Sequence, residues 1–169
     1  MGPLKLTLAT LGVAAGWIVG PLEAKEIVGV SIGMDLTTAE GKLKRIGIPT
    51  KQEGPGPDTF SLHINEVEVL VCAGRVVGVS RKFRGDFHTF GRLVEDERER
   101  EGEPRQSFYS EDGDAGKATS VGYIWQRPRR PVYGVHFSQF GDDYEIAEIL
   151  DSPAEELNQV VESCGLSDP

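Results

Sequence analysis

Gly29-Val30-Ser31-Ile32-Gly33 satisfies the Gly-x-Ser-x-Gly pattern in which a sharp strand-to-helix turn exposes a serine nucleophile. Acyl transfer at such a serine needs a carboxylate and then a late histidine further along the chain. His136 comes late, yet Val135 and Phe137 flank it in an alternating run, which is an ordinary strand setting. The chain is also short for the hydrolase fold that carries this turn. We read the motif as a first strand entering a helix cap, with a small serine hydrolase using Ser31 as the alternative. His63 and His88 are isolated, and no histidine pair has metal-ligand spacing. Glu111-Asp112-Gly113-Asp114 and Asp142-Asp143 lack the extended ligand series of a calcium loop and read as turn residues. The Gly-Pro-Gly-Pro of residues 54–57 lacks the amide donors that a phosphate-binding loop supplies. No catalytic residue, metal ligand or cofactor is assigned.

The most distinctive surface chemistry is Tyr123-Ile124-Trp125-Gln126-Arg127-Pro128-Arg129-Arg130-Pro131-Val132-Tyr133. It reads as a hairpin with arginines and prolines at its tip and aromatics at its base. Trp125, Arg127, Arg129, Arg130 and Tyr133 are the candidate binding residues, since Trp, Tyr and Arg dominate interface hot spots. The same composition suits a solvated tip whose prolines and charges discourage edge pairing. A third use is recognition of an anionic ligand, a lipid head group or polysaccharide, by the three arginines. Arg81, Lys82 and Arg84 add to this patch if the sheets are adjacent.

The elements that must position these residues begin with a helix capped by Asp35. Leu36, Ala39, Leu43 and Ile46 fall on one helical face, and Lys42, Lys44 and Arg45 suit its C-terminal end. Gly47-Ile48-Pro49 closes it. Gly41 is costly inside a helix and is expected to face something bulky. A turn-rich loop covers residues 50–58. Phe60, Leu62 and Ile64 alternate, Asn65-Glu66 turns, Val67, Val69 and Val71 alternate again, and Ala73-Gly74-Arg75 leads into Val76 to Val79. A related pattern follows from Asp86: a capped helix with Phe87, Phe90 and Val94 on one stripe, a charged run to Glu101, and the exit Gly102-Glu103-Pro104. Residues 110–117 read as a polar loop. Val121, Tyr123 and Trp125, then Tyr133, Val135 and Phe137, then Tyr144, Ile146 and Ile149 form three strands, the last with a bulge. Ser152-Pro153-Ala154-Glu155 is a capping box that opens a terminal helix reaching Cys164. The two halves recur with unequal spacing, so the repeat is diverged.

Residues 1–24 read as a secretory signal: Lys5, an uncharged apolar run from Leu6 to Gly20, Pro21, and Ala24 as the last residue before cleavage. The run is shorter than the ~20 residues of a spanning helix. The net charge of −9 argues against general nucleic-acid or anionic-membrane binding. Two cysteines in an exported chain invite a disulfide between Cys72 and Cys164, the alternative being two buried thiols.

Ile32-Gly33-Met34, Gly47-Ile48-Pro49 and Gly74-Arg75-Val76-Val77 resemble the unit of SmpA/BamE-type envelope proteins and of the tandem β-lactamase inhibitor proteins. The second half resembles it through Gly102-Glu103-Pro104 and the hairpin after Trp125. The resemblance implies a helix-on-sheet fold in an exported protein that works by protein–protein contact. The missing lipid-site cysteine departs from the lipoprotein branch. The expected architecture is α+β: two related units, residues 25–85 and 86–169, each a short helix on an antiparallel meander, plus the C-terminal helix. The expected role is a non-enzymatic binding or inhibitory module, periplasmic or secreted, that contacts another envelope or extracellular protein and has no stable membrane anchor.

Overall fold

The computed structural model describes residues 25–153 except 55, 57, 114, 115, 141 and 142, together with Glu156, Gln159 and Cys164. The expected leader lies outside these residues, as does most of the expected terminal helix.

Helix α1 (Leu36–Leu43) starts where the Asp35 carboxylate accepts from the Thr38 amide at 3.0 Å. It is shorter than its apolar stripe suggested. Arg45 and Ile46 close i→i+3 bonds to Lys42 and Leu43, a tight last turn that leaves Ile46 outside the core. Gly47 then has φ +155° and lies so close to Ile64 that a Cβ would fall 2.8 Å from its Cδ1. Gly41 contradicts expectation: a Cβ there would meet nothing within 4 Å. Helix α2 (Phe87–Glu101) repeats the cap, with Asp86 accepting from the Thr89 amide at 2.8 Å.

The strands are β1 (Thr50–Glu53), β2 (Thr59–Ile64), β3 (Val67–Cys72), β4 (Arg75–Arg84), β5 (Arg105–Gly113), β6 (Gly116–Trp125), β7 (Val132–Phe140) and β8 (Asp143–Asp151). They form one antiparallel sheet in the order β1-β2-β3-β4-β8-β7-β6-β5. Asn65 (φ 50°) and Ala73-Gly74 (φ 48° and 75°) make the tight turns around β3. The register slips once, at Leu70/Val71 against β4.

This overturns the expected pair of separate helix-on-sheet units. The last strand of each half pairs with the other, from Gly78 opposite Asp151 to Arg84 opposite Glu145, so a single eight-strand sheet carries both α1 and α2. Strand alternation marks which residues point to a face but not which edge is left over for a distant strand, and β4 and β8 both had an unfilled edge. Residues 50–53 of the expected loop are the edge strand β1, and much of the expected polar loop at 110–117 is the β5–β6 hairpin. Strand β8 carries no bulge: Ile146, Glu148 and Leu150 face one way and Ile149 the other.

Both helices pack on the same face. There Ala39, Leu43 and Phe90 meet Leu62, Val69, Val71, Val79, Val135, Ile146 and Leu150, all buried. Phe90 sits 5.5 Å from the Phe137 ring and 5.9 Å from Tyr123, fixing α2 over β6 and β7. The residues before α1 are stitched to β4: Gly33 donates to the Val76 carbonyl, and Val76 donates to that of Met34.

Candidate functional site

The arginine hairpin joins β6 to β7, and its bonds run inward to the end of α2. Arg127 donates to the Glu101 carbonyl and pairs with its carboxylate at 3.2 Å; Arg130 reaches the same carboxylate at 3.5 Å. These cations meet the negative end of the helix as well as a side chain. Trp125 is 5% exposed and donates its indole N–H to the Gly102 carbonyl at 2.8 Å, satisfying a terminal acceptor of α2. Tyr133, equally buried, packs 5.8 Å from Trp125. Arg129 takes φ 57° at the tip and is exposed. The five residues singled out by composition are therefore together, but the aromatic pair lies under α2 and two arginines are held by Glu101. A groove of about 460 Å³ runs beside them between Pro104, Arg105, Ile124, Arg127 and Pro128.

Beneath the hairpin lies a polar chain that sequence reading did not anticipate. The Tyr133 hydroxyl donates to Glu148 Oε1 at 2.7 Å, and Arg81 pairs with the other oxygen of Glu148. Lys25 Nζ lies 3.9 Å above the Tyr133 ring and pairs with Glu97, which Arg100 approaches at 3.8 Å. Glu97 and Glu148 are buried. Burial, and then the negative charge of Glu148, push the Tyr133 hydroxyl far above the ordinary tyrosine range. The signal was present in the sequence. Arg81 and Glu148 occupy positions where the apolar alternation of their strands would place a core residue, and they are cross-strand partners.

The opposite face of the sheet carries neither α1 nor α2. Register places Leu70, Gly78, Ser80, Lys82, Ala147, Ile149, His136, Gly134, Ser138, Ser120, Gly122 and Ile124 on it. Most are small, and the longer Leu70 and His136 side chains lie over the glycines, so Gly78, Gly122 and Gly134 are buried. The His136 ring rests against Gly122, where a Cβ would stand 2.5 Å from Nδ1, and burial lowers its pKa. Asp151 stands at the rim of a shallow depression of about 200 Å³ with Glu68, Leu70 and Ile149, and burial raises its carboxyl pKa. At one corner Cys72, on this face, is bonded to Cys164 with Cα atoms 5.8 Å apart. The Thr59 hydroxyl donates to the Cys164 carbonyl at 2.7 Å, fastening that corner further. The disulfide reading is the one that holds, and the two-thiol alternative does not.

Ser31 lies in the turn before α1, where its carbonyl accepts from Met34. His63 is on β2, His88 in α2 and His136 on the bare face of β7. Among the described residues no side-chain hydrogen bond links Ser31 to a histidine, no group of three His, Cys, Asp or Glu is placed to hold a metal ion, and no helix is long and apolar enough to cross a membrane. The two capping carboxylates are held below the usual range, Asp35 first by the Thr38 hydroxyl and Asp86 first by the Thr89 amide. Compared with known protein families, curated proteins and solved structures, the chain matches none.

Proposed function

We propose that this chain is an exported, non-enzymatic module that binds another envelope or extracellular protein across the bare face of its sheet. The observation that carries the reading is the make-up of the face opposite α1 and α2: Leu70, Ile124 and Ile149 stand part-exposed on it among Ser80, His136 and Ala147. Leu70, Ile124 and Ile149 supply apolar contact, and Ser80 and His136 supply polar contact between them. The Cys72–Cys164 bond suits an oxidising compartment outside the cytosol. The resemblance to the envelope and inhibitor families supports the same direction. The arginine hairpin is the second contact region. Its Arg127 and Arg130 are already engaged by Glu101, so a partner there would compete with an existing pair.

Affinity capture from an envelope extract tests this reading. Ala147→Arg plants a long charged side chain in the middle of the bare face and is expected to abolish capture. Arg129→Glu at the hairpin tip is expected to leave it intact, and the reverse pattern would move the site to the hairpin. A broad esterase screen of the wild type and Ser31→Ala addresses the hydrolase alternative. Activity that vanishes with the serine would replace the binding reading.

A further inference from the structure

The sheet has two edges, and they differ in kind. The β1 edge is four residues long, every one polar or charged, and it runs into the turn-rich loop. That is a blunted edge. The β5 edge is nine residues long and contains neither proline nor lysine, and among the described residues nothing pairs with its outer side. Arg105, Gln106, Ser107, Phe108 and Ser110 are all exposed, and Phe108 is 70% exposed. Its ring belongs to the helix-bearing face, in register with Val121 and Phe137 across β6 and β7. An apolar row thus reaches the margin of the sheet and ends there uncovered.

We infer that β5 is a self-association edge. Two copies pair β5 with β5, antiparallel, about a two-fold axis normal to the sheet, with Phe108 opposite Phe108 of the second copy. A two-fold in that direction keeps each face continuous, so only registers that pair residues of one face are allowed. The Phe108-centred register sets ring on ring, Gln106 opposite Ser110, and Arg105 opposite Glu111 of the second copy, twice by symmetry. Centring on Tyr109 instead would set Phe108 opposite Ser110 and Arg105 opposite Gly113, losing both the aromatic and the charge pair. Centring on Ser107 would set Phe108 opposite Gln106 and Arg105 opposite Tyr109. Arg105 makes no ion pair among the described residues, so it is available for this one. The occupant is a second copy because the edge is complementary to itself in charge and in aromatic content. The inference is independent of the bare-face reading, since edge and face are different surfaces.

Sedimentation of the full chain, with far-UV circular dichroism as the check on folding, is expected to show a dimer that dissociates on dilution. Arg105→Glu should weaken it by about tenfold or more, because two attractive cross-strand pairs become repulsive. Combining Arg105→Glu with Glu111→Arg should restore it. Phe108→Cys should yield a covalent dimer without reductant, whereas Gln106→Cys, displaced along the strand from its own copy, should not. A wild type that sediments as a monomer up to about 100 μM, an affinity too weak to support the dimer, would overturn the inference. So would a dimer indifferent to Arg105→Glu, or one that cross-links at position 106 and not at 108. A monomer that instead takes up an extended peptide of another protein along β5 would also overturn it.

Discussion

At the scale of single residues, the group that most rewards attention is Glu148. Its two oxygens are divided between a neutral donor, the Tyr133 hydroxyl, and a cation, Arg81. Truncation would leave the buried Tyr133 hydroxyl without its acceptor and the part-exposed Arg81 without its ion pair, and Arg81 Nε is already buried without a hydrogen bond. Glu148→Ala is therefore expected to destabilise the fold by about 2 to 3 kcal/mol, the lost charged acceptor of a buried hydroxyl plus a part-solvated ion pair. Tyr133→Phe removes one donor and leaves the ion pair, so about 1 to 2 kcal/mol is expected. Urea unfolding of the two variants checks the order. Equal losses would mean that the tyrosine, not the cation, holds the carboxylate in place.

At the scale of elements, the helices contain slack. Gly41 in α1 and Gly91 in α2 have open space where a Cβ would sit, and neither has positive φ. Gly41→Ala and Gly91→Ala should each stabilise by about 0.5 to 1 kcal/mol in thermal or urea unfolding. Both caps, and strands β2, β3 and β7, were legible because their cause is local: an aspartate three residues before the amide it binds, or an apolar residue at every second position. The edges β1 and β5 were not legible, because a strand bounded by water on several sides has no apolar alternation to show. Trp125 and Tyr133 were legible as important but not as buried. Their type suits a contact surface and a core alike, and what decides between them is the Gly102 carbonyl and Glu148, both distant in sequence. The bare face escaped notice for a related reason. Glycine, serine and alanine in a strand look like weak propensity until the register lines them up.

For the whole molecule, the Cys72–Cys164 bond closes a loop of 92 residues that spans the centre of the sheet. Chain entropy assigns such a closure about 4 to 5 kcal/mol. Reduction, or Cys72→Ser, should lower the melting temperature by on the order of 10 °C, read from thermal unfolding with and without reductant. The strand order has a consequence for how the chain is made. Synthesis runs from one margin of the sheet to the middle, then from the other margin back to the middle, and β8 arrives last. Until residues 143–151 emerge, the nascent protein is two half-built panels with no strand pairing to join them. Losing that one strand would not trim the molecule at its border. It would divide it, leaving β4 and β7 as raw edges where the interior had been.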